Sequence, residues 1–450
     1  MGVVEFEFVV REVDRLKPST DYTDSHKSTP RNLWKKIAWT FGTRVLMIVN
    51  SVVAGIIVAH WLGAEGVGQL AVINVTIATV VQVGSFGLPS SNTYFIAQDQ
   101  ARFRAAAINS MIFAVGAGVI LALALSAIAS SRPDWFGLNS PDLIHIAAVS
   151  IPSQLLTLIG LNTFLAVGKV RQFNLLDLFA QSFVLINAVL VSRIIRADLG
   201  TLVFWNTTTS IFVSIVIALL LVTSAKNLAY SKWRADLALL RRMIFYGLKF
   251  HVSILAGAII IRADLLVVNH FRGAAEAGVY SVASQFALLL MLLPGVIATL
   301  LFPRVTSEQD ARGETTCQVT RYTTFIMLIC CVAAVPFSLL LPLIYGEAFA
   351  ESTALLWILL PGVYLMGLES VLVQHFNALG LPRAIPLYWV VTLILNLMLV
   401  FALVPRYGAQ GAAIASSLSY AAIFTLVALH FHTSTGRSFA EVFVLGSLRG

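Results

Sequence analysis

The stretch WLGAEGVGQLAV, residues 61–72, places a glycine-rich turn between two long apolar runs. A second stretch, FRGAAEAGVYSV at 271–282, has the same pattern and aligns with the first at a constant offset of 210 residues. The aligned identities are His60 with His270, Gly63 with Gly273, Ala64 with Ala274, Gly68 with Gly278, and Val72 with Val282. Another pair, FLAVGKVR at 164–171 and FNALGLPR at 376–383, matches at an offset of 212. The sequence therefore predicts that the chain duplicates one structural unit.

The composition is typical of a membrane protein. Hydrophobic residues make up 58% of the chain and charged residues only 12%, whereas about a quarter of the residues in a soluble domain are charged. A helix needs about 20 apolar residues to cross about 30 Å of hydrocarbon. Twelve such runs occur, at about 38–60, 69–95, 105–130, 142–167, 174–195, 199–222, 243–269, 278–302, 321–344, 353–377, 384–404 and 410–432. Long uninterrupted runs favour helices over a barrel, so the predicted fold class is all-α and polytopic, with 12 transmembrane helices.

The duplication predicts two parallel six-helix lobes. An even number of helices in each copy gives both copies the same orientation, with a site between them. The predicted segments are a cytoplasmic tail at 1–30, an N-terminal lobe at 31–222, an amphipathic cytoplasmic linker at 223–242, a C-terminal lobe at 243–432 and a cytoplasmic tail at 433–450.

Basic residues predict the orientation. With the N-terminus inside, 22 of the 30 Lys and Arg residues fall on cytoplasmic segments and five on external ones. Because Lys and Arg are concentrated in cytoplasmic loops, both termini are predicted to be cytoplasmic and the turn at Gly63 external. The net charge of +8 needs no nucleic acid partner, since basic loops beside anionic lipid give the same sum.

Ionisable residues inside the apolar runs are the candidate functional residues, because a charge at membrane depth is costly. Arg44 in helix 1 and Lys249 in helix 7 lie at equivalent positions in the two copies. Facing each other across the lobe interface, they would form a cationic cavity that suits a phosphate group. The alternative is that both side chains snorkel to the lipid headgroups.

Helix 7 carries three further candidates. By the helical period, His251 and Arg262 share one face, whereas Lys249 and Asp264 lie on the other side, so only one pair can point squarely into a cavity. Asp264 and Arg262 are too far around the helix to pair with each other. A lobe-internal ion pair with a neighbouring helix and a transport role both remain open for them.

Carboxylates in other helices complete this set. Glu369 in helix 10 is deep, and we expect it to act as a proton relay or as a partner for Lys249. Asp177 in helix 5 lies near the cytoplasmic end of the apolar run 174–195 and is interpreted as an interfacial residue. Asp264 and Glu369 are thus the predicted ion-coupling residues.

Polar side chains of helix 2 form another group. They are Asn74, Gln82, Ser85, Ser90, Ser91 and Asn92. They could line a hydrophilic path for a sugar, but Ser and Asn also join transmembrane helices by hydrogen bonds. The second interpretation is preferred for most of them.

Several segments resemble a known superfamily. LGAEGVGQLAV followed by FGLPSSNTYFIA resembles the first helical hairpin of the polysaccharide-transport (oligosaccharide flippase) branch of the multidrug/oligosaccharidyl-lipid/polysaccharide (MOP) exporters. IRADLLVVNHFRGAAEAGVYSVASQFALLL is similar to their seventh helix and the following turn, and LFPRVTSEQ to the end of their eighth. The similarity covers roughly residues 31–432.

This resemblance implies a function. Such proteins are two-lobed, V-shaped flippases that move undecaprenyl-pyrophosphate-linked glycans across the bacterial inner membrane by alternating access. Arg44, Lys249, His251 and Arg262 would then bind the substrate. The expected partners are the lipid-linked glycan, membrane lipids, H⁺ or Na⁺, and the polysaccharide polymerase machinery.

No motif indicates catalysis. The sequence lacks a GxxxxGK[ST] phosphate loop, an HExxH helix and a nucleophile elbow, and the three cysteines have neither metal-ligand spacing nor a disulfide pattern. We therefore predict no enzyme activity, cofactor or metal.

Two alternative functions remain. A cation or drug antiporter of the same superfamily would need carboxylates in the N-terminal lobe to bind its cationic substrates. Helix 1 contains an arginine and no acidic residue. A membrane polysaccharide polymerase or ligase would be expected to have a large external loop that carries the catalytic groups. The longest predicted external loop of this chain spans only about residues 131–141.

Overall fold

The computed structural model describes residues 30–138, 140–226, 234–308, 310, 312–380 and 382–444, and within these ranges the chain is almost entirely helical, with no strand. The helices are α1 (Pro30–Gly84), α2 (Leu88–Gln98), α3 (Phe103–Ser131), α4 (Asp142–Ala148), α5 (Ile151–Ala166), α6 (Val170–Val189), α7 (Leu199–Lys226), α8 (Leu237–Arg272), α9 (Ala274–Leu289), α10 (Leu292–Glu308), α11 (Glu314–Ser338), α12 (Leu341–Tyr345), α13 (Glu351–Leu379), α14 (Ala384–Thr435) and α15 (Phe439–Phe443). The predicted all-α, polytopic fold class is confirmed.

The long helices account for twelve crossings. Ten segments of the described chain are long and apolar enough to span a membrane. Two of them have double length, Phe41–Gly84 with 44 residues and Ala384–Thr435 with 52. Each is interrupted by a glycine with positive φ, Gly63 (66°) or Gly408 (58°). Since about 20 residues cross the bilayer, each double segment crosses twice.

Some predicted helices are divided by short breaks. The expected helix at 142–167 consists of α4 and α5, and the break falls just before Pro152. The expected helix at 278–302 likewise consists of α9 and α10, and its break precedes Pro294. Proline has no N–H to continue the ladder and clashes with the preceding turn, which accounts for both breaks. Pro361, by contrast, lies inside the continuous helix α13.

The repeated glycine turns have the same backbone conformation in both copies. Gly63 has φ 66° and ψ −171°, and Gly273 has φ 89° and ψ 171°. This region is open essentially to glycine alone. Gly168 and Gly380, the second aligned pair, also have positive φ, 71° and 112°. The two matches found in the sequence are therefore matched turns in the structure.

The buried apolar residues form one main core in each lobe. One core consists of residues between 73 and 221 together with Leu239 and Met243. The other consists of residues between 256 and 442 together with Ala59 and Val72. The N-terminal lobe thus inserts the tip of its first helical hairpin, next to Gly63, into the core of the C-terminal lobe, and the start of α8 packs into the core of the N-terminal lobe. Large apolar side chains such as Ile120, 68% exposed, cover the outside, as a lipid-facing surface requires.

The predicted linker and tails are described only in part. Residues 1–29, 227–233 and 445–450 lie outside the described residues. Before α8, the Asp236 carbonyl accepts a hydrogen bond of 2.7 Å from the Asn109 amide of α3. In the C-terminal segment, Arg321 of α11 donates to the carbonyl of Glu441 in α15 at 2.7 Å.

Candidate functional site

The lobes touch at the end that carries the turns at Gly63 and Gly273, here called the turn end. A Cβ on Gly68 would lie 1.7 Å from the carbonyl oxygen of Ala274, and a Cβ on Gly278 would lie 2.0 Å from that of Ala64. Both distances are far below van der Waals contact, so only glycine fits. Since these residues are copies of one another, the contact is reciprocal about the axis that relates the lobes.

A second contact closes the opposite end of the interface. A Cβ on Gly87 would lie 2.4 Å from the carbonyl oxygen of Gly247, and a Cβ on Gly247 would lie 2.6 Å from that of Gly87. The Ser91 hydroxyl donates to the carbonyl of Met243 at 2.5 Å, so α2 of the N-terminal lobe is bonded to α8. The lobes are therefore in contact at both ends of their interface.

Between these contacts, helix 1 faces the C-terminal lobe at Ser51 and Gly55. The Gln285 amide of α9 donates to the Ser51 hydroxyl at 3.1 Å. A Cβ on Gly55 would lie 3.4 Å from the hydroxyl oxygen of Tyr345 in α12. Gln285 was not among the predicted residues, although a glutamine within an apolar run is a detectable signal.

Arg44 is held by a partner within its own lobe. Its Nη1 lies 3.0 Å from Oδ2 of Asp177 in α6, and the two side chains are 38% and 16% exposed. The guanidinium also lies 5.8 Å from the ring centroid of Phe173. Both contacts come from helix 5 of the prediction, a neighbour that sequence periodicity cannot identify. Substrate binding by Arg44 stays a prediction.

Lys249 has a different environment. Its side chain is exposed, and no ion pair joins it to Glu369 within the described part of the chain. The suggested pairing of these two residues is therefore not present in this conformation.

The structure shows which face of helix 7 turns toward the N-terminal lobe. Gly247 lies on that face, because it contacts Gly87. His251, one turn further along, is 5% exposed and lies beside the backbone of Val83, with no hydrogen bond of normal geometry to either ring nitrogen. Arg262 follows on the same face about 16 Å along the axis and is half-buried.

Asp264 points into the C-terminal lobe instead. It is 2% exposed and accepts hydrogen bonds from the hydroxyls of Tyr280 in α9 and Ser416 in α14, the latter at 2.7 Å. The backbone N–H of Leu265 also donates to it, at 2.7 Å. Hydroxyl and amide donors thus occupy the place of the basic partner considered from the sequence.

Glu369 is buried without such support. The residue lies in α13, is 1% exposed, and its Oε1 has no hydrogen-bond partner. A buried carboxyl group in a transmembrane helix that no neighbour satisfies is a marker of function.

Polar residues at the end of predicted helix 2 form hydrogen bonds to neighbouring helices, which is the interpretation preferred for most of them from the sequence. The Asn92 amide nitrogen lies 2.9 Å from the hydroxyls of both Ser110 in α3 and Thr163 in α5. Ser91 bonds to Met243 in the way described above. Asn74 differs, because it is exposed and has no protein hydrogen bond among the described residues.

Two helical lobes that meet about a pseudo-twofold axis define the class: a multi-pass membrane protein with a transporter fold. A family model described as "Polysaccharide biosynthesis protein" matches residues 33–309, which is more than half of the chain. The chain therefore belongs to this polysaccharide biosynthesis protein family, and the resemblance to the MOP exporters is confirmed.

Two sequence relatives have names that concern glycan transport. The chain is 27% identical over 183 residues to the "Putative O-antigen transporter" of Shigella flexneri, a match that covers 40% of this chain and 44% of the relative. It is 24% identical over 202 residues to the "Probable low-salt glycan biosynthesis flippase Agl15" of Haloferax volcanii, covering 43% and 42%. The chain thus spans less than half the length of each relative.

Solved structures share the fold over nearly the whole chain. The inward closed conformation of the lipid II flippase MurJ has a TM-score of 0.70 at 16% identity and covers 87% of this chain and 86% of that one. An inward-facing multidrug resistance MATE family transporter has a TM-score of 0.67 at 14% identity, covering 87% and 96%. At these identities the similarity shows the fold alone.

Proposed function

We propose that this chain is a flippase that moves undecaprenyl-pyrophosphate-linked oligosaccharide units across the bacterial inner membrane, for the synthesis of O-antigen, capsule or exopolysaccharide. The family match and the names of the two relatives support a polysaccharide flippase in general. The charge of the lobe interface supports the choice of an anionic lipid-linked substrate. We further propose that both termini lie in the cytoplasm.

The observation that carries the proposal is the face of α8 that turns toward the N-terminal lobe. By the helical period, this face carries His251 and Arg262 in the interval between the two glycine contacts. His251 is buried in this conformation and Arg262 is half-buried, so we propose that a substrate between the lobes meets the Arg262 guanidinium. Arginine binds phosphate oxygens through a planar fork of donors. A pyrophosphate group fits that arrangement, whereas an organic cation does not.

Arg44 and Lys249 would receive the pyrophosphate at the end opposite the turns. One nitrogen of Arg44 bonds to Asp177, but a guanidinium has five N–H donors, so it can hold its partner and a phosphate together. Lys249 is exposed and would add a point charge. Snorkelling to lipid headgroups remains the alternative role for both residues.

Ion coupling is the second part of the proposal. Asp264 and Glu369 are the buried carboxyl groups of the membrane helices described in the C-terminal lobe. Binding of H⁺ or Na⁺ to such a group changes a buried charge, which biases the packing of its lobe. We propose that one or both carboxyl groups respond to the ion gradient in this way, and that the polysaccharide polymerase machinery takes up the flipped product.

The test begins with a deletion strain, in which the lipid-linked glycan that accumulates on the cytoplasmic side is isolated and identified. Vesicles containing the full-length protein are then loaded with that glycan, and flipping is measured as exposure of the glycan to an added glycosidase. We expect the double variant Arg44→Ala/Lys249→Ala to fall to the rate of protein-free vesicles. Arg272→Ala is the matched control, because Arg272 is exposed at the turn end and pairs with Glu276.

The two possible failures are distinct. No flipping by the unchanged protein with the accumulated glycan would overturn the proposed function. Normal flipping by the double variant, at unchanged protein abundance, would overturn the roles of Arg44 and Lys249 while leaving the function standing.

A cation or drug antiporter is the second candidate, since a MATE transporter has nearly the same structural similarity. Its substrates would require free carboxylates at the interface. Asp177 is bonded to Arg44 and Asp264 to hydroxyls of its own lobe, which favours the flippase.

A polymerase or ligase is supported least. The segment between α3 and α4 is short, and the carbonyl of Phe136 within it accepts a hydrogen bond of 2.6 Å from the Asn269 amide. This segment therefore offers little room for a catalytic domain, and we propose no chemical step for the chain.

A further inference from the structure

A cavity of about 180 Å³ lies inside the N-terminal lobe, away from the basic residues described above. It is enclosed by the second half of α1, by α4 and the start of α5, and by α7. Its polar lining consists of Asn74, Ser150, Gln154, Asn206 and Thr207, and its other walls are apolar. None of the residues that line it carries a formal charge.

Some of this polar lining is satisfied by the protein. The Ser150 hydroxyl donates to the carbonyl of Ala147 at 2.7 Å and accepts from the Gln154 amide nitrogen at 2.9 Å. The Thr207 hydroxyl donates to the carbonyl of Ile146 at 3.2 Å. The Asn206 oxygen accepts from the Asn187 amide at 2.9 Å. These bonds hold the wall in place.

The remaining hydrogen-bonding capacity belongs to residues that line the cavity. Among the described residues, nothing bonds to the Gln154 oxygen, to the Asn206 amide nitrogen or to either end of the Asn74 amide. The cavity thus offers two amide oxygens and two NH₂ groups that lack protein partners. Such a set both donates and accepts, which is what a ligand with several hydroxyl groups requires.

Charge distinguishes the possible ligands. A phosphate would be expected to meet Arg or Lys, and a divalent cation would be expected to meet carboxylates. Neither kind of charged side chain lines this cavity. Neutral amides beside apolar walls suit a sugar ring, which has hydroxyl groups at its edge and C–H groups on its faces.

The position of the cavity fits a glycan held between the lobes. Asn74 is exposed, so the cavity opens there, on the helix whose Val72 belongs to the core of the other lobe. Counting 1.5 Å per residue from Gly63, Asn74 lies roughly 16 Å and Arg44 roughly 28 Å from the turn end. The two levels differ by roughly 12 Å, a separation that the first few sugars attached to a pyrophosphate at Arg44 would span.

We propose that this cavity is a subsite that binds one neutral sugar ring of the transported glycan through the amides of Asn74, Gln154 and Asn206. The proposal rests on the flippase function and deepens it. It also separates the recognition of the sugar, in the N-terminal lobe, from that of the pyrophosphate, at the basic residues.

The test uses the full-length protein in nanodiscs and a set of methyl glycosides: neutral hexosides, an N-acetylhexosaminide and a hexuronide. Binding is measured by saturation-transfer NMR, with competition to obtain affinities. We expect at least one neutral glycoside to bind and the hexuronide to bind more weakly. Gln154→Met and Asn206→Leu each remove an amide at similar volume, and each should weaken binding roughly tenfold.

Asn74→Leu serves as the variant that leaves the core intact, because residue 74 is exposed, and it should weaken binding in the same direction. Asn162→Leu is the control, since Asn162 lies on the same helix as Gln154 and its amide nitrogen donates a hydrogen bond of 2.8 Å to the carbonyl of Leu158. Equal binding by all four variants, a preference for the hexuronide, or no binding of any glycoside by the unchanged protein would overturn the subsite. Flipping of the lipid-linked glycan by the unchanged protein is measured in parallel, so that loss of the subsite is distinguished from loss of the function.

Discussion

In the N-terminal lobe, the buried polar groups of the described helices are amides and hydroxyls, as in the bonds of Asn92 to Ser110 and Thr163. In the C-terminal lobe, the corresponding depth of the membrane holds the carboxyl groups of Asp264 and Glu369. At the offset of 210 residues, Asp264 aligns with Ala54, so the acid has no counterpart in the first copy. The two copies therefore share a backbone frame while their polar interiors differ.

The basic residues Arg44 and Lys249 also differ between the two copies, and here it is the N-terminal copy that has the acidic partner. Arg44 is bonded to Asp177, whereas Lys249 is exposed and unpaired within the described residues. At the offset of 212, Asp177 aligns with the apolar Trp389. At the aligned pair Gly68 and Gly278, where a Cβ would collide with backbone of the other lobe, both copies have glycine. Positions where many side chains fit have acquired separate chemistry. We therefore expect substitutions of these two glycines to affect how the lobes close, and substitutions of the polar side chains to affect the proposed binding and coupling.

The largest effect should come from breaking the shared frame. Gly68→Ala and Gly278→Ala each introduce a Cβ within 2.0 Å of a backbone carbonyl oxygen of the other lobe. Overpacking costs about 1–3 kcal/mol, and a backbone contact cannot rotate away. We expect the state that is closed at the turn end to lose roughly 100-fold in population, and flipping to fall accordingly.

This loss can be measured by labelling Ser281→Cys at the turn end with a membrane-impermeant maleimide, in a background that lacks the native cysteines. Labelling should increase equally in both glycine variants, because the contact is reciprocal. Gly116→Ala is the control, since no heavy atom lies within 4 Å of its added Cβ. Unchanged labelling and flipping in both variants would show that the lobes do not close through these glycines.

The fold could be predicted because its signals are local in sequence. Twelve apolar runs fix the crossings, and the glycine turns show the duplication, since Gly63 and Gly273 occupy a region that other residues avoid. The breaks before Pro152 and Pro294 could not be predicted, because the sequence does not tell whether a proline bends a helix or divides it.

The sequence could identify the polar residues of the candidate site, but it could not predict which of them contact one another. The helical period gives the faces of α8, but it does not tell which face meets the other lobe, and the contact of Gly247 with Gly87 settles that point. The Arg44–Asp177 pair depends on which helices are neighbours within a lobe, and the cavity at Asn206 depends on the packing of four helices, α1, α4, α5 and α7. Both are properties of packing between segments that are distant in the chain.

A smaller effect separates the two buried acids. Asp264→Leu would leave the hydroxyls of Tyr280 and Ser416 without their acceptor, so we expect the free energy of unfolding to fall by about 1–3 kcal/mol. Glu369→Met removes a carboxyl group whose Oε1 bonds to nothing, so stability should hold or rise, while flipping should lose its response to an ion gradient. Unfolding in detergent and gradient-driven flipping measure the two quantities. Equal destabilisation by both changes would indicate that Glu369 has a structural partner.

The smallest effect on stability is expected at the Arg44–Asp177 ion pair, which has no counterpart at Lys249 in the C-terminal lobe. Arg44 is 38% exposed, and ion pairs of this kind contribute about 0–1 kcal/mol, so Asp177→Asn should change the free energy of unfolding by no more than that. Asp134→Asn is the control, because Asp134 is exposed and its side chain has no ion pair or hydrogen bond among the described residues. If the arginine serves the pyrophosphate, Asp177→Asn leaves its charge available and should preserve flipping, whereas Arg44→Ala should reduce it. A loss of flipping in Asp177→Asn as large as in Arg44→Ala would mean that the pair works as a structural unit, and the phosphate would then have to be bound by Lys249 and the face of α8 that carries Arg262.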